Sequence, residues 1–411
     1  MIPLPLSEIP AGRLDAATGA QEFTGVKIDS RLVEPGDLFV AIGRGVEFLE
    51  DARARGAAAT LVPDEPFAAM AALGAAARDR SGARIVGITG SMGKTGTKDI
   101  LAALCEPQAR TVAAEASFNN ELGVPLTLCR LEPDTEVCIL ELAMRGFGQI
   151  ADLAAIARPD IGVVTNVGPV HLELVGDLEG VERAKGELVD ALPPGGTAIV
   201  PRDFPVRRSD LRVVRLDPPE DALVENGRTL LGGVTFGFTA RHQAANAAAA
   251  LAVLDALGFE RPSRVEVSFS RWRGDEVPLP GGGLLINDCY NANPVSMRAA
   301  LSLLADRAAG RRRVAILGDM AELGPDAPRY HHEAGAAAAE LGVQALVAVG
   351  PLARGYVEGA EGVEIVRWAP TLEEGLEAVR EIVEPGDCVL VKGSRAMGLE
   401  AVADALAGVA A

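Results

Sequence analysis

The stretch RIVGITGSMGKTGTKDILAALC, residues 84–105, decides how this chain is read. After Arg84 its opening residues are apolar or β-branched and uncharged, the composition of a strand buried on both faces of a sheet. Glycines follow at 90 and 93, and beyond Lys94 the segment KDILAALC has the pattern of a helix. A strand that turns through glycines into a helix offers backbone N–H groups to an anion at the helix start. Gly90 and Gly93, with Ser91 and Met92 between them, allow backbone to approach phosphate closely. Lys94 can reach terminal phosphates, and the Thr95 hydroxyl suits magnesium. The spacing is not the usual GxxxxGK[ST], because the first glycine position is Ile88 and the nearest glycines are Gly87 and Gly90. A generic kinase is therefore disfavoured, and a dinucleotide fingerprint is excluded by the lack of GxGxxG.

Further apolar runs, EVCILELA (136–143) and DIGVVTNV (160–167), alternate with helical patterns, which predicts a mainly parallel, doubly wound sheet. Upstream, VKIDSRLVEPGDLFVAI and AATLVP with an Ala-rich stretch between them predict a small α/β unit ending near Ser81. The Pro- and Gly-bearing stretch 216–233 predicts antiparallel strands at the edge of the central sheet. The helix RHQAANAAAALAVLDALGF closes the middle unit, and ERPSR reads as a linker. Beyond it LLINDCY, RRVAILGDM, ALVAVG and DCVLVKGS predict four buried strands of a third α/β domain. The expected division is an amino-terminal domain over 1–82, a central domain over 83–262 and a carboxy-terminal domain over 263–411.

At 411 residues the chain is too long for one small module. With 48% apolar and 23% charged residues it has the composition of an ordinary globular protein. No apolar run approaches the roughly 20 residues that span a bilayer, and the start, MIPLPLSEIP, has no secretory signal pattern, so a cytosolic protein without membrane insertion is expected. A net charge of −18 repels phosphate backbones, which argues against nucleic acid but leaves a local anion site open. Five cysteines without CxxC spacing argue for reduced, buried thiols. Lysine occurs only at 27, 94, 98, 185 and 392, while Arg fills nearly every other cationic position. Lysine is thus expected where a compact ammonium or a modifiable amine is needed.

Taken together, DSRLVEPGDLFVA (29–41), TGSMGKTGTK (89–98), NNELGVPLTL (119–128), NVGPVHLE (166–173), ERAKGEL (182–188), RHQAANA (241–247), DCYNANPVSM (288–297), LGDMAELG (317–324) and LVKGSR (390–395) resemble the Mur ligase family. The resemblance is greatest to the branch that adds D-alanyl-D-alanine, and it covers nearly the whole chain. It implies a UDP-sugar-binding first domain, a central P-loop ATPase domain and a Rossmann-like third domain. It also implies ATP- and magnesium-dependent amide formation through an acyl phosphate. The substrates would be UDP-N-acetylmuramoyl-tripeptide and D-alanyl-D-alanine, and the protein is expected to be a monomer.

Glu141 ends its strand at the sheet's carboxyl edge, where ligands of doubly wound sheets bind, and is a candidate magnesium ligand; a solvated acid is the alternative. The resemblance makes His171 a second ligand, although a lone histidine is more often structural. Lys185 reads as a helix-surface lysine near Glu182 or, by the resemblance, as a carbamylated lysine supporting magnesium. The resemblance likewise assigns Asn119 and Asn120 to nucleotide and substrate, Asn246 to adenine, and Arg273 and Asp288 to residues that reach ATP from the third domain. It places Tyr290, Asn291, Asn293, Lys392, Ser394 and Arg395 near substrate, and Asp29, Ser30 and Arg31 at the UDP-sugar. Each asparagine could instead cap a turn or helix. GRGVEF (43–48) stands where the family usually has Asp-Gly-His. Two other readings stay open: a related ligase with a different carboxylate acceptor, and a non-catalytic nucleotide-binding relative. The joint presence of Lys94, Glu141, His171, Lys185 and Asp288 argues against the second.

Overall fold

The computed structural model describes residues 1–225 and 227–408, apart from the side chains of Arg241 and His242. The chain divides into two compact units. One comprises 1–166, 183–239 and 243–268; the other comprises 167–182, 240–242 and the chain from 269 on.

At the centre of the first unit is a sheet of six parallel strands, in the order Arg212–Leu216, Thr197–Pro201, Ile161–Val164, Arg84–Thr89, Val137–Glu141 and Thr111–Ala113. Arg84–Thr89 is central and buried from Ile85 onward, as its unbroken apolar run requires. The chain leaves it through the helix Lys94–Cys105 toward one edge, then crosses to the other side at Ile161–Val164. Strand order therefore reverses beside Arg84–Thr89, and such a switch opens a crevice at the carboxyl ends of the strands.

The amino-terminal segment has its own four-stranded sheet, ordered Gly12–Ala16, Ala59–Pro63, Asp37–Val40 and Gly25–Lys27. Its helix Pro66–Asp79 packs on Gly123–Leu128 and Gln149–Ala157. A Cβ at Gly74 would come within 2.8 Å of the Pro125 Cα, so the helices approach at backbone distance. Ile2 N–H donates to Leu131 O at 2.6 Å. This packing joins residues 1–82 and the central segment in one compact unit.

The stretch 216–233 departs from expectation. Leu223–Glu225, Arg228–Leu231 and Val234–Phe236 form a separate small sheet with Arg264–Val265, and Arg212–Leu216 takes the edge of the central sheet. Pro218 and Pro219 fall between the two sheets, and proline cannot donate to a ladder, so the central sheet ends there.

The second unit carries a six-stranded sheet ordered Asp275–Leu279, Gly283–Asp288, Cys388–Lys392, Arg313–Gly318, Ala345–Val349 and Ile365–Ala369. Only Asp275–Leu279 is antiparallel to its neighbour. The four central strands are those the apolar runs predict. The two edge strands, DEVPL and IVRWA, escape that reading because an edge strand mixes charged and apolar residues.

Asn293 accepts from Ser296 N–H and caps the helix Pro294–Ala308 in a capping box, with proline at its first position. Asn293→Ala should cost about 1 kcal/mol. Both tryptophans lie in this unit, so a lowered urea midpoint in tryptophan fluorescence would report the loss.

All five cysteines are buried and free. Burial pushes the thiols of Cys105, Cys129, Cys138 and Cys289 up to about 12, as inert core residues require. Among the described residues no helix is long and apolar enough to cross a membrane.

Candidate active site

The turn 90–93 joins the central strand to the helix Lys94–Cys105, and neighbouring side chains hold it. Ser91 N–H donates to Asn166 O at 3.1 Å and Met92 N–H to Asn166 Oδ1 at 2.9 Å, while the Thr165 hydroxyl donates to Met92 O. The glycines are dictated by these contacts. A Cβ on Gly90 would lie 1.8 Å from Thr165 Oγ1, and one on Gly93, which has φ +78°, would lie 2.2 Å from Asn246 Oδ1. Lys94 Nζ donates to Gly90 O at 2.6 Å, so its ammonium curls over the loop it is expected to serve. Thr95, in the first turn of the helix, is buried.

Glu141 ends the adjacent strand, in register with Ile88, and is 0% exposed. The solvated-acid alternative therefore fails. Asn119 Nδ2 donates to its Oε2 at 3.3 Å, whereas Oε1 is buried with no hydrogen-bond partner. A buried carboxylate oxygen left unsatisfied is costly, and such an atom commonly marks a place for a cation or a polar ligand.

Lys185, on the helix Leu178–Asp190, is 2% exposed, which removes the surface-lysine reading. Burial, and secondarily the ammonium of Lys94, hold its amine well below the ordinary lysine range. Two residues on, Glu187 accepts from Gly148 N–H at 2.7 Å and Ala151 N–H at 3.1 Å, fixing the start of the helix Gln149–Ala157. Arg183 stacks on the half-exposed Phe147, 4.2 Å from its centroid.

Two of the asparagines have structural duties as well. Asn120 Oδ1 accepts from Gly123 N–H at 3.0 Å, at the start of the helix Gly123–Leu128. Asn246, expected at adenine, is buried behind the phosphate loop against Gly93 and Gly96, and donates to Gln243 Oε1 at 2.7 Å. In the amino-terminal segment, Asp29 caps the short helix Ser30–Leu32 and is paired with Arg31, which brings its carboxyl down to about 2. Ser30 is buried.

The remaining expected residues belong to the second unit. His171 adopts φ +54° and its Nδ1 meets Glu322, which is itself left-handed at φ +63°. Thr95, Glu141 and Lys185 thus belong to the first unit, whereas His171 groups with the second and pairs there with a carboxylate. Lys392 is buried at the end of its strand and donates to Asp288 Oδ2 at 2.7 Å and Asn291 O at 2.8 Å. Arg273 lies 4.1 Å from the centroid of the Tyr290 ring, and Arg395 lies 4.6 Å from that of Trp272. Ser394 Oγ accepts from Ala321 N–H at 2.9 Å, tying LVKGSR to LGDMAELG.

Sequence reasoning missed Thr165, Asn166 and Glu187 as supports. The signal available for the first two was a polar pair directly after a buried apolar strand on the ligand-binding edge of the sheet.

The pattern described as the Mur ligase middle domain matches residues 88–254, and that described as the Mur ligase glutamate ligase domain matches residues 272–395. A UDP-N-acetylmuramoyl-tripeptide--D-alanyl-D-alanine ligase of Synechocystis is 34% identical, over 96% of this chain and 89% of that protein. The protein of the same name in Escherichia coli is 31% identical over 98% of this chain and 97% of its own. The crystal structure of MurF from Acinetobacter baumannii superposes with a TM-score of 0.83 at 26% identity, covering 99% of both chains. MurF ligase from Thermotoga maritima, in complex with ADP, gives 0.76 at 26% identity, covering 94% of this chain and 97% of that one.

Proposed function

The chain belongs to the Mur ligase family, and from that premise we propose that it joins D-alanyl-D-alanine to UDP-N-acetylmuramoyl-tripeptide at the expense of ATP, a step of peptidoglycan precursor synthesis. The observation that carries the reading is a phosphate loop in register with a fully buried carboxylate, Glu141, that keeps one oxygen unpaired. The proposed division of labour assigns the UDP-sugar to 1–82, ATP to 83–262, and acceptor contacts to 263–411.

In this reaction the γ-phosphoryl group passes to the tripeptide's terminal carboxylate, giving an acyl phosphate. The amine of D-alanyl-D-alanine adds to the activated carbonyl, and phosphate leaves from the tetrahedral intermediate as the amide forms. The loop amides of residues 90–93 and the Lys94 ammonium bind the phosphate chain and meet the charge that develops during transfer. Arg273, Asp288, Lys392, Ser394 and Arg395 act from the carboxy-terminal segment, where Lys392 keeps Asp288 and the 290–293 turn in place.

Magnesium fits the donors present. Glu141 Oε1 is a hard oxygen without a hydrogen-bond partner, Thr95 supplies a hydroxyl, and magnesium takes one or two protein oxygens together with substrate phosphates. Among the described residues no group of three His, Cys, Asp or Glu side chains could hold a metal by itself, so phosphate oxygens would complete the shell. An ion held by Glu141 and Thr95 would supply positive charge against that of the phosphates. His171, the other ligand that the resemblance implies, lies in the second unit, where its Nδ1 meets Glu322. Lys185, whose neutral amine is favoured by burial, can add carbon dioxide and thereby present a carboxylate to the ion.

Phosphate release from ATP, measured with a panel of acceptors and amines, tests the assignment. UDP-N-acetylmuramoyl-tripeptide and D-alanyl-D-alanine together should stimulate release, and neither should do so alone. Release driven by another carboxylate would move the assignment to a related acceptor, a change that the segment Gly43–Phe48 would explain. No stimulation by any pair would leave only nucleotide binding.

A further inference from the structure

Of the five lysines, Lys98 has no part in the chemistry above, yet it is 3% exposed. It lies one turn beyond Lys94 on the helix Lys94–Cys105, on the same face. Its Nζ donates to Ala114 O at 2.8 Å and Ala116 O at 3.2 Å, and approaches Asp99 Oδ1 at 2.8 Å. The two carbonyls belong to a turn in which Ala116 takes φ +45°, a conformation that a residue with a Cβ adopts only under constraint.

That turn leads directly to the active-site edge. Ala114 N–H donates to Ile139 O at 2.9 Å, in the strand that ends at Glu141. Three residues beyond Ala116 stands Asn119, whose amide donates to Glu141 Oε2 at 3.3 Å and whose carbonyl accepts from Ala143 N–H at 2.9 Å. A single ammonium therefore connects the helix that begins at the phosphate loop to the turn that presents Asn119. The planar fork of a guanidinium does not match two carbonyls converging on one point, which accounts for lysine here in a chain that otherwise prefers Arg.

We propose that Lys98 is a positioning residue: it holds the 114–118 turn, and through it Asn119 and Glu141, in fixed register with the phosphate loop. The inference rests on the reading of Lys94 and Glu141 as parts of one phosphoryl-transfer site.

The test compares Lys98→Met with Asp99→Asn. The first removes the tether, and the second neutralises the carboxylate beside it while keeping the side chain's shape. Three readouts are taken: ADP affinity by calorimetry, amide hydrogen exchange over residues 114–120, and steady-state kinetics. For Lys98→Met, ADP affinity and the KM for ATP should stay within roughly threefold, exchange over 114–120 should accelerate at least about tenfold, and kcat should fall about 10²-fold, the cost of misplacing a reacting group. For Asp99→Asn, every readout should remain within roughly threefold of the parent. Should Lys98→Met fail to fold, the double change Lys98→Met with Asp99→Asn leaves no lone buried charge and carries the same expectations. Parental exchange over 114–120 in the lysine variant, or equal losses in Asp99→Asn, overturns the proposal. A parent protein without ligase turnover would end the reaction assignment instead, and the exchange measurement would still decide whether the tether exists.

Discussion

Lys94→Ala should reduce ATP-dependent phosphate release by at least about 10³-fold, the scale on which a preorganised charge at a transferring group counts. The argument starts from geometry. The loop backbone of residues 90–93 is held by Thr165 and Asn166, independently of the lysine, so the loop should survive the substitution. In the parent, the ammonium sits 2.6 Å from Gly90 O, already above the helix start. The loss should therefore fall on kcat, with ADP affinity, carried largely by backbone donors, reduced much less. A folded variant that retains parental phosphate release would remove the phosphate-loop assignment altogether.

Lys185→Ala should lower turnover by about 10²-fold or more, in line with loss of a group that supports a catalytic metal ion. Part of the loss should return on adding acetate or formate. The physical basis is the amine's state. Ammonium cannot add carbon dioxide, whereas a neutral amine forms a new N–C bond and releases a proton, leaving a negative carbamate. Burial lowers the pKa of Lys185 below the usual 10.5, so the neutral form is available nearer physiological pH than for an exposed lysine. Between that lowered value and 10.5 the unfolded chain binds a proton that the folded chain does not. Stability attributable to this group therefore rises with pH across the window and falls as acid restores the ammonium. Turnover by the parent should likewise decline when carbon dioxide is stripped from the buffer and recover when bicarbonate is returned. Unchanged activity in Lys185→Ala would eliminate the carbamate; loss without rescue by a carboxylate would leave Lys185 a role through its amine alone.

Legibility in the sequence followed burial. Strands covered on both faces, such as RIVGIT, VCILE and RVAILG, announce themselves as apolar runs because every side chain must leave water. Edge strands do not. Ile365–Ala369 is exposed at Ile365, Arg367 and Trp368 and buried only at Ala369, and its arginine and tryptophan disguise it. The strands around Arg228–Leu231 are legible as antiparallel, but they form a separate small sheet instead of extending the edge of the central one. Pairing partners far apart in the chain are chosen by packing, which a local pattern does not carry.

At the site, residue types were readable and their surroundings were not. The order of motifs from Asp29 to Arg395 pointed to the family, and the rarity of lysine drew attention to Lys94, Lys98 and Lys185. That Glu141 would be sealed from solvent beside Ile88 and Asn119 with one oxygen unpaired, or that Asn246 would stand behind the loop against Gly93 and Gly96, depended on neighbours distant in the chain.

By itself the chain's order of residues determined the phosphate loop, the doubly wound architecture and the chemical class, because backbone turns, strand burial and donor types are local properties of composition and spacing. Only the tertiary structure decided which charges lose water. Desolvation is set by everything packed around a group, and it is what separates Lys185, a buried amine with a lowered pKa, from a surface cation, and Glu141, a buried carboxylate with one oxygen unpaired, from a solvated acid.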